Sequence, residues 1–237
     1  MPLESLDTTL VSTHAVTPRV KQFLLRADDH TFDFTPGQHV SVEFKDEEGT
    51  RRYRPYSPVS QPGTDTVALA VKRYAEGACS SWLHEQTIGA TIPLTPPSGN
   101  LVLQDRDRDV MFLATGTGLT PMLSMLTRYL AEGEGHALLL FGERAQEDLM
   151  YRETLDRLSA SHARLTVDYV LSGERWTGPQ GYVQEHISAY VRDAAVTDFY
   201  VCGVPEMVVE TKAVLRDLGA SDERIFTEGW EDGAVDE

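Results

Sequence analysis

The sequence predicts an α+β protein of two domains, an N-terminal antiparallel β-barrel over residues 1–104 and a C-terminal α/β domain with a parallel sheet over residues 105–237. Three observations predict this division. Short segments of alternating apolar and polar residues fill the first hundred positions, apolar runs alternate with helical stretches in the rest, and a charged run at 105–109 lies between them. A chain of 237 residues is long enough to bury two modest cores.

The N-terminal half has the pattern of an antiparallel barrel. Turn clusters such as Pro36-Gly37, Glu48-Gly49 and Gln61-Pro62-Gly63 separate its alternating segments. Short strands at this spacing are typical of small barrels, in which each strand presents one face to the core. One helical stretch, at about 80–86, interrupts the strands. The predicted strands are 20–25, 39–44, 66–71 and 91–94.

The C-terminal half repeats the order strand then helix four times. Each short apolar run is followed by a segment with helical periodicity. This order is typical of a parallel sheet that is covered by helices on both faces, because such strands are buried on each side. The predicted pairs of strand and helix are 110–114 with 121–130, 137–141 with 154–159, 165–171 with 183–190, and 199–202 with 206–218.

The charge balance excludes some classes of partner. The chain carries 37 acidic and 21 basic residues, a formal net charge of −16, and only four of the basic residues are lysine. Such a surface repels phosphate backbones and anionic lipid, so we expect no binding to nucleic acid or to a membrane. Two interpretations of the acidity stay open: a surface that favours solubility, or a saline cytoplasm whose ions screen the self-repulsion.

The cysteine content indicates a reducing compartment. Cys79 and Cys202 lie far apart in the sequence and give no disulfide framework. Two thiols cannot supply the four ligands of an iron–sulfur cluster, and no clustered Cys/His spacing predicts a metal site. The segment 1–13 is polar without a secretory pattern, and no apolar run is long enough to span a bilayer. We therefore expect a cytoplasmic protein without a metal, either a monomer or a weak dimer.

The first motif that carries chemistry is Arg54-Pro55-Tyr56-Ser57. A guanidinium can clamp a pyrophosphate through two parallel hydrogen bonds. One residue separates the arginine from the tyrosine, so both side chains can face the same side of a strand. The aromatic ring could then cover a flat cofactor ring, and the serine hydroxyl could donate to its polar edge. The alternative is an ordinary strand end.

The second motif follows the third predicted strand. Val71-Lys72-Arg73-Tyr74 ends the strand, and Gly77-Ala78-Cys79-Ser80 opens the helix. A glycine turn before a helix start presents unpaired backbone N–H groups, which bind anions. The alternative is an ordinary helix with a serine cap.

Two further motifs follow predicted strands of the C-terminal half. Thr115-Gly116-Thr117-Gly118 follows the first strand and leads through Thr120 and Pro121 into a helix, and Cys202-Gly203 follows the last strand. Ligands of parallel sheets bind beyond the carboxyl ends of the strands, and glycine lets the backbone approach a phosphate or a ring closely. The alternatives are a plain glycine turn and a cysteine that packs in the core.

In this order and spacing the four motifs resemble the ferredoxin–NADP reductase superfamily, most closely its cytochrome-b5-reductase-like and bacterial NAD(P)H-flavin oxidoreductase branches, without an iron–sulfur domain. The resemblance implies that the barrel domain binds FAD. Arg54 would hold the flavin phosphates, Tyr56 would lie against the isoalloxazine, and Ser57 would form a hydrogen bond near its N5 atom.

The family's pyrophosphate loop matches Gly77, Ser80 and Leu83. Cys79 would contribute its main chain there. Trp230, near the end of the chain, would cover the flavin ring. The remaining residues expected around the flavin are Pro55, Val71, Lys72, Arg73, Tyr74 and Ala78.

The resemblance also assigns the C-terminal motifs. The nicotinamide loop of the family is intact at residues 116–121, and Cys202 would lie beside the nicotinamide C4 atom. The implied catalytic residues are Tyr56, Ser57 and Cys202. The implied activity is transfer of a hydride from NADPH or NADH to FAD, and then of single electrons to a small carrier such as ferredoxin or flavodoxin.

The choice between the two nucleotides depends on the ends of the second and third C-terminal strands. Relatives that use NADPH place Ser-Arg after the third strand, where this chain has Ser172 followed by glycine, with Arg175 two residues further on. Arg144 is similar to an arginine that some of these relatives place after the second strand. We therefore favour NADPH over NADH. The alternative is that both arginines pair with Glu143 and Glu174 on a solvated surface.

Two other functions stay open. The chain could be the electron-input component of a multi-protein oxygenase or another redox complex. It could also be a redox-silent binding module that retains the fold. A purified protein whose visible spectrum bleaches with NAD(P)H excludes the second of these alternatives, and copurification with a fixed partner favours the first.

Overall fold

The computed structural model describes residues 4–228 and divides the chain into two compact units, between Val102 and Leu103. The boundary predicted from the sequence lies two residues later. Trp230 lies outside the described residues. Between residues 4 and 228, no helix is long and apolar enough to cross a membrane.

The first unit is an antiparallel sheet of six strands that curves into a barrel. Its strand order is β4-β3-β6-β1-β2-β5. Pro58 and Leu69 form a bridge, and the Val59 N–H donates to the Ala68 carbonyl at 2.9 Å, so the chain that follows β4 meets β5 and the two sheet edges come together. The elements are β1 Leu6–Ala15, β2 Val20–Arg26, β3 Val40–Lys45, β4 Arg51–Tyr56, β5 Thr66–Lys72, α1 Ala78–Glu85 and β6 Thr91–Leu94.

Alternation along the strands explains why this barrel forms. In β2 the alternating positions Phe23 and Leu25 are buried, and β5 contributes Val67, Leu69 and Val71 to the same core. Strand β1 was not predicted, because polar residues fill six of its ten positions and only two of its residues are buried. The predicted antiparallel class of this half is confirmed.

The second unit is a five-stranded sheet in the order β11-β10-β7-β8-β9, and each pair of neighbours is parallel. The predicted α/β class is confirmed, and each of the four predicted strand–helix pairs is present. Strand β11 was not predicted, because two residues carry no periodicity. The elements are β7 Val110–Thr115, α2 Leu119–Glu132, β8 Ala137–Glu143, α3 Arg152–Ser161, β9 Leu165–Leu171, α4 Val183–Tyr190, β10 Asp198–Cys202, α5 Pro205–Asp217 and β11 Ile225–Phe226.

The strand order places a topological switch point between β7 and β10. From β7 the chain proceeds outward to β8 and β9, and it then crosses to the other side to form β10 and β11. The loops that leave β7 and β10 therefore run in opposite directions from neighbouring strand ends. Such a crevice at the carboxyl ends of the strands is where open α/β sheets bind ligands.

These two loops are packed backbone against backbone. A Cβ atom on Gly118 would lie 2.2 Å from the Cys202 carbonyl oxygen, and one on Gly203 would lie 2.1 Å from the Thr115 hydroxyl. That hydroxyl accepts a hydrogen bond from the Val204 N–H at 3.3 Å. Only glycine allows so close an approach, so the sequence at both turns follows from the packing.

An aromatic ladder connects the same strands on one face of the sheet. The Tyr200 ring on β10 lies between Phe112 and Phe226, at centroid distances of 5.3 Å and 5.1 Å. The buried Tyr200 hydroxyl accepts a hydrogen bond from the Gln104 N–H at 2.9 Å, which attaches the start of this unit to its own sheet. Beside the ladder, Arg224 donates to the buried Asp198 carboxylate at 2.8 Å.

Replacing Gly118 by alanine tests the close packing of the two loops. We expect Gly118→Ala to lower the free energy of unfolding by about 3 kcal/mol, because the added methyl group must push the Cys202 carbonyl away. Gly116→Ala is the matched control. Its φ of +57° disfavours alanine, but no atom lies within 4 Å of the new methyl group, so about 1 kcal/mol is expected. Urea denaturation measures both values, and equal losses would contradict the packing argument.

Candidate functional site

In the N-terminal half of the chain, the candidate site begins on β4. Arg54 and Tyr56 lie on the same face of this strand, opposite Val42 and Val40 of β3. The Tyr56 ring is half-buried against the barrel core, and Ser57, the next residue, is buried with a relative exposure of 6%. The predicted side-by-side arrangement of the arginine and the tyrosine is therefore present.

The second part of this half is the start of α1. Gly77 occupies the position before the helix, and within the described chain no side chain caps this end. The Ser80 hydroxyl instead donates to the Gly77 carbonyl at 3.0 Å and accepts from the Tyr74 N–H at 3.2 Å. Ser80 thus shapes the turn. The backbone N–H groups at the start of the helix keep their capacity to bind an anion.

These two parts of the first unit meet at Tyr56 and Cys79. Their hydroxyl and thiol groups are hydrogen-bonded, and Arg54 lies close enough to both to interact electrostatically. Burial raises the pKa of the Cys79 thiol to about 11, although the hydrogen bond to Tyr56 and the charge of Arg54 oppose the shift. Burial, followed by the neighbouring thiol, also raises the pKa of Tyr56 above its usual value. Both groups are therefore protonated at neutral pH.

This arrangement fits a diphosphate cofactor. A guanidinium and the uncapped start of a helix approach the same place, and each is an anion-binding element by itself. The half-buried Tyr56 ring offers an apolar surface next to them. A flavin with two phosphates matches both elements, whereas a single phosphate would leave one of them without a partner.

The other residues predicted around the flavin differ in how far their side chains are exposed. Val71 lies in the barrel core, so only its main chain could contact a ligand. Lys72 is half-buried, and Arg73 forms a 3.5 Å ion pair with Glu85. Tyr74 is 56% exposed and is a large aromatic ring at the surface. Pro55 is half-buried, and Ala78 is exposed.

In the C-terminal half of the chain, the candidate site is the switch point of the second unit. Residues Gly116–Gly118 form one 3₁₀ turn directly after β7. A Cβ on Gly116 would meet nothing within 4 Å, so its backbone faces open space. Cys202, at the end of the neighbouring strand, is half-buried and forms no disulfide. The third and fourth motifs are therefore adjacent, because β7 and β10 are neighbouring parallel strands.

Thr120 and Pro121 are more deeply buried than residues 115–117 of the same loop. Both are buried in the first turn of α2, and the Thr120 hydroxyl donates to the Thr117 carbonyl at 2.9 Å. Their side chains hold the turn in shape. Thr115 and Thr117 are half-buried at the mouth of the loop.

Arg144, Ser172 and Arg175 lie at the ends of β8 and β9. The Ser172 N–H donates to the Glu143 carbonyl at 3.0 Å, and the Gly173 N–H donates to the Arg144 carbonyl at 2.8 Å, so the two loops extend side by side. Ser172 and Arg175 line a pocket of about 250 Å³. A Cβ on Gly173 would lie 2.7 Å from the Arg144 carbonyl oxygen, which explains why glycine stands where an arginine was expected.

Both arginines at this edge are exposed. Within residues 4–228, neither guanidinium lies within ion-pair distance of a carboxylate. The Glu174 carboxylate contacts a backbone amide and neither of the two guanidinium groups: it accepts a hydrogen bond from the Gln146 N–H at 2.9 Å. The surface pairing considered as an alternative is absent from this part of the structure.

Two contacts were missed by the sequence analysis. Cys79 was assigned a main-chain contribution, yet its side chain contacts Tyr56. Glu174 was considered only as a possible ion-pair partner, yet it joins two loops. The small buried residue before Ser80 was a usable signal for the first contact. No local pattern indicates the second, because its partner is a backbone amide 28 positions away.

Comparisons with known proteins match both units. The model of the oxidoreductase FAD-binding domain matches residues 7–103, and the model of the oxidoreductase NAD-binding domain matches residues 112–213. One curated relative is ferredoxin–NADP reductase B of Sorangium cellulosum, which is 34% identical over 96% of this chain and 98% of its own length. Another is the ferredoxin–NAD(P)(+) reductase component of the naphthalene 1,2-dioxygenase system of Pseudomonas putida, which is 29% identical over 99% of this chain and 71% of its own length.

A solved structure has the same fold. The FAD/NAD-binding domain of nitric oxide dioxygenase from Vibrio cholerae superposes with a TM-score of 0.87 at 22% identity, over 95% of this chain and 98% of that domain. The two domain models together match most of the chain, and the Sorangium relative aligns over nearly its whole length, so the family is identified. The chain belongs to the ferredoxin–NADP reductase superfamily, whose members bind FAD in the first domain and a nicotinamide nucleotide in the second.

Proposed function

We propose that this chain takes electrons from NADPH through FAD and delivers them to ferredoxin or flavodoxin. The membership of the family makes it a flavin-dependent oxidoreductase that serves an electron carrier. The proposal adds the nucleotide, the carrier and the residues. The observation that carries it is the meeting of Arg54, the start of α1 and the Tyr56–Cys79 pair in one place.

In the first unit we assign Arg54 and the start of α1 to the two phosphates of FAD, and Tyr56 to the face of its ring. When bound, the flavin accepts a hydride and releases electrons one at a time, which is chemistry the protein itself lacks. Tyr56 excludes water from one face of the ring and keeps its own proton, because burial raises its pKa. We assign Ser57, which is buried beside it, as the hydrogen-bond donor to the reacting edge.

In the second unit we assign the switch point to the nicotinamide. The backbone of Gly116 faces open space, so a ring can approach it closely, and Cys202 lies at the end of the adjacent strand. Orienting two reactants in this way converts a bimolecular transfer into a local one. Trp230 remains part of the proposal as a cover for the flavin, on the resemblance alone.

We assign Arg144 and Arg175 to the 2′-phosphate of NADPH. Both guanidinium groups are exposed at the ends of neighbouring strands, and no carboxylate in the described chain neutralises them. Ser172 adds a hydroxyl at the same edge. Two guanidinium groups without an ion-pair partner among residues 4–228, one of which lines a pocket, favour a dianionic phosphate over the plain ribose of NADH.

A second function is supported by one observation. The dioxygenase-system relative aligns with 99% of this chain, so a role as the electron-input component of an oxygenase is consistent with the same site. Both functions place the protein with a carrier in a reducing compartment such as the cytoplasm, where two cysteines outside any disulfide are stable. Copurification with oxygenase subunits distinguishes the second function from the first.

The carrier assay tests the proposed function directly. With NADPH as donor, we expect the purified protein to reduce ferredoxin or flavodoxin catalytically. The rate should rise with added salt before it falls, because the net charge of −16 repels an acidic carrier and ions screen the repulsion. Failure to reduce either carrier would reject the function. A rate that falls from the lowest salt concentration onward would reject the electrostatic part alone.

Replacing Arg54 tests the phosphate assignment. Arg54→Ala should weaken FAD binding by about tenfold or more, because a charged hydrogen-bond donor is lost. Arg51→Ala is the matched control, since Arg51 lies on the same strand but is exposed and pairs with Glu43 at 3.0 Å. The measurement is FAD affinity by titration of the apoprotein. Equal affinity in the two variants would remove Arg54 from the site.

Replacing Arg144 tests the nucleotide assignment. We expect Arg144→Ala to lower kcat/KM for NADPH by about tenfold and to leave the value for NADH nearly unchanged, because only NADPH carries the 2′-phosphate. Arg157→Ala removes an exposed arginine from α3 and serves as the control. The same loss with both nucleotides, or a parent enzyme that prefers NADH tenfold, would reject the assignment.

A further inference from the structure

Besides a 3.5 Å contact of the Ser172 hydroxyl with the Glu143 carbonyl, three hydrogen bonds of 3.0 Å or less join the loops after β8 and β9, and one of the three depends on a side chain. Two are backbone contacts, from Ser172 and Gly173 to the carbonyl groups of Glu143 and Arg144. The third is the 2.9 Å bond from the Gln146 N–H to the Glu174 carboxylate. It is the outermost of the three along the loops, so it determines how far they stay together beyond the sheet.

Arg144 and Arg175 lie on either side of this outer bond in the sequence. Arg144 is two residues before Gln146, and Arg175 directly follows Glu174. The bond therefore fixes the backbone next to each guanidinium. Without it, the loop after β9 would be attached to its neighbour only through the contacts at Ser172 and Gly173, and Arg175 would be free to move independently of Arg144.

The negative charge of Glu174, considered by itself, predicts that this residue weakens the binding of an anion. A carboxylate near a phosphate site repels the ligand, so a purely electrostatic role makes its removal favourable. The geometry opposes that role. The half-buried carboxylate is turned toward a backbone amide, which satisfies part of its negative charge, and it pairs with neither arginine.

We propose that Glu174 is a positioning residue for nucleotide specificity: by holding the Gln146 amide it keeps Arg144 and Arg175 together for the 2′-phosphate. The inference rests on the proposed use of NADPH and goes beyond it, because it assigns to an acidic residue a favourable contribution to binding of an anion. Arg152 supports the same loop through a 3.3 Å hydrogen bond to the Gln146 side chain.

Two substitutions of Glu174 separate positioning from repulsion. Glu174→Gln keeps an oxygen acceptor without the charge, and Glu174→Ala removes both. We measure binding of adenosine 2′,5′-bisphosphate and of 5′-AMP to the FAD-loaded protein by calorimetry. Glu174→Ala should weaken binding of the bisphosphate by about five- to tenfold, which corresponds to the loss of one net hydrogen bond, and leave the affinity for 5′-AMP unchanged. Glu174→Gln should stay within about twofold of the parent.

Glu147→Ala is the charge control, because Glu147 is an exposed acid on the same loop as Gln146. It should tighten bisphosphate binding slightly or leave it unchanged. Hydrogen exchange at the Gln146 amide gives a second readout that needs no nucleotide. Exchange should accelerate in Glu174→Ala and remain slow in Glu174→Gln and Glu147→Ala.

The outcomes distinguish this inference from the proposed function. If the parent does not prefer the bisphosphate over 5′-AMP, the NADPH assignment fails and the inference fails with it. If the parent has that preference but Glu174→Ala binds the bisphosphate as well as the parent, or more tightly, the inference alone is wrong. Unchanged exchange at Gln146 in Glu174→Ala would also overturn it.

Discussion

The backbone contact between the loops after β7 and β10 is the constraint on which the nucleotide half of the structure depends. Gly118 and Gly203 leave no room for a side chain at this contact, and the Thr115 hydroxyl joins the two loops. Because the loops depart in opposite directions from adjacent strand ends, their contact forms the base of a crevice, and Gly116 remains open above it. The ladder of Phe112, Tyr200 and Phe226 maintains the strands below.

The flavin half depends on a different kind of contact. There the decisive groups are polar: the half-buried Tyr56 and the buried Cys79 form a hydrogen bond, and Arg54 provides the positive charge beside them. A buried polar group without a partner is costly, so this pair also fixes the orientation of the tyrosine ring. Ser80 plays a similar part in the turn before α1, where its hydroxyl uses both of its hydrogen-bonding roles within the protein.

Periodicity in the sequence was sufficient for the architecture and for the positions of the four motifs. It failed where a strand has little apolar character, as in β1, or only two residues, as in β11. Side-chain contacts across long sequence separations were beyond the reach of periodicity. The small buried residue before Ser80 was a usable signal for the Tyr56–Cys79 bond, but no local pattern indicates the Glu174–Gln146 bond. The glycine at position 173 illustrates the same limit: it departs from the family motif, and only the packing against Arg144 explains it.

The central claim is that electrons enter through a nicotinamide bound at the switch point and reach a flavin held beside Tyr56. Anaerobic rapid mixing of the purified flavoprotein with one equivalent of NADPH, and separately of NADH, tests it most directly. The account predicts that the visible absorbance of the flavin bleaches within a single turnover and does so faster with NADPH. A flavin spectrum that neither nucleotide changes, or a protein that purifies without flavin and does not take up FAD, would contradict it.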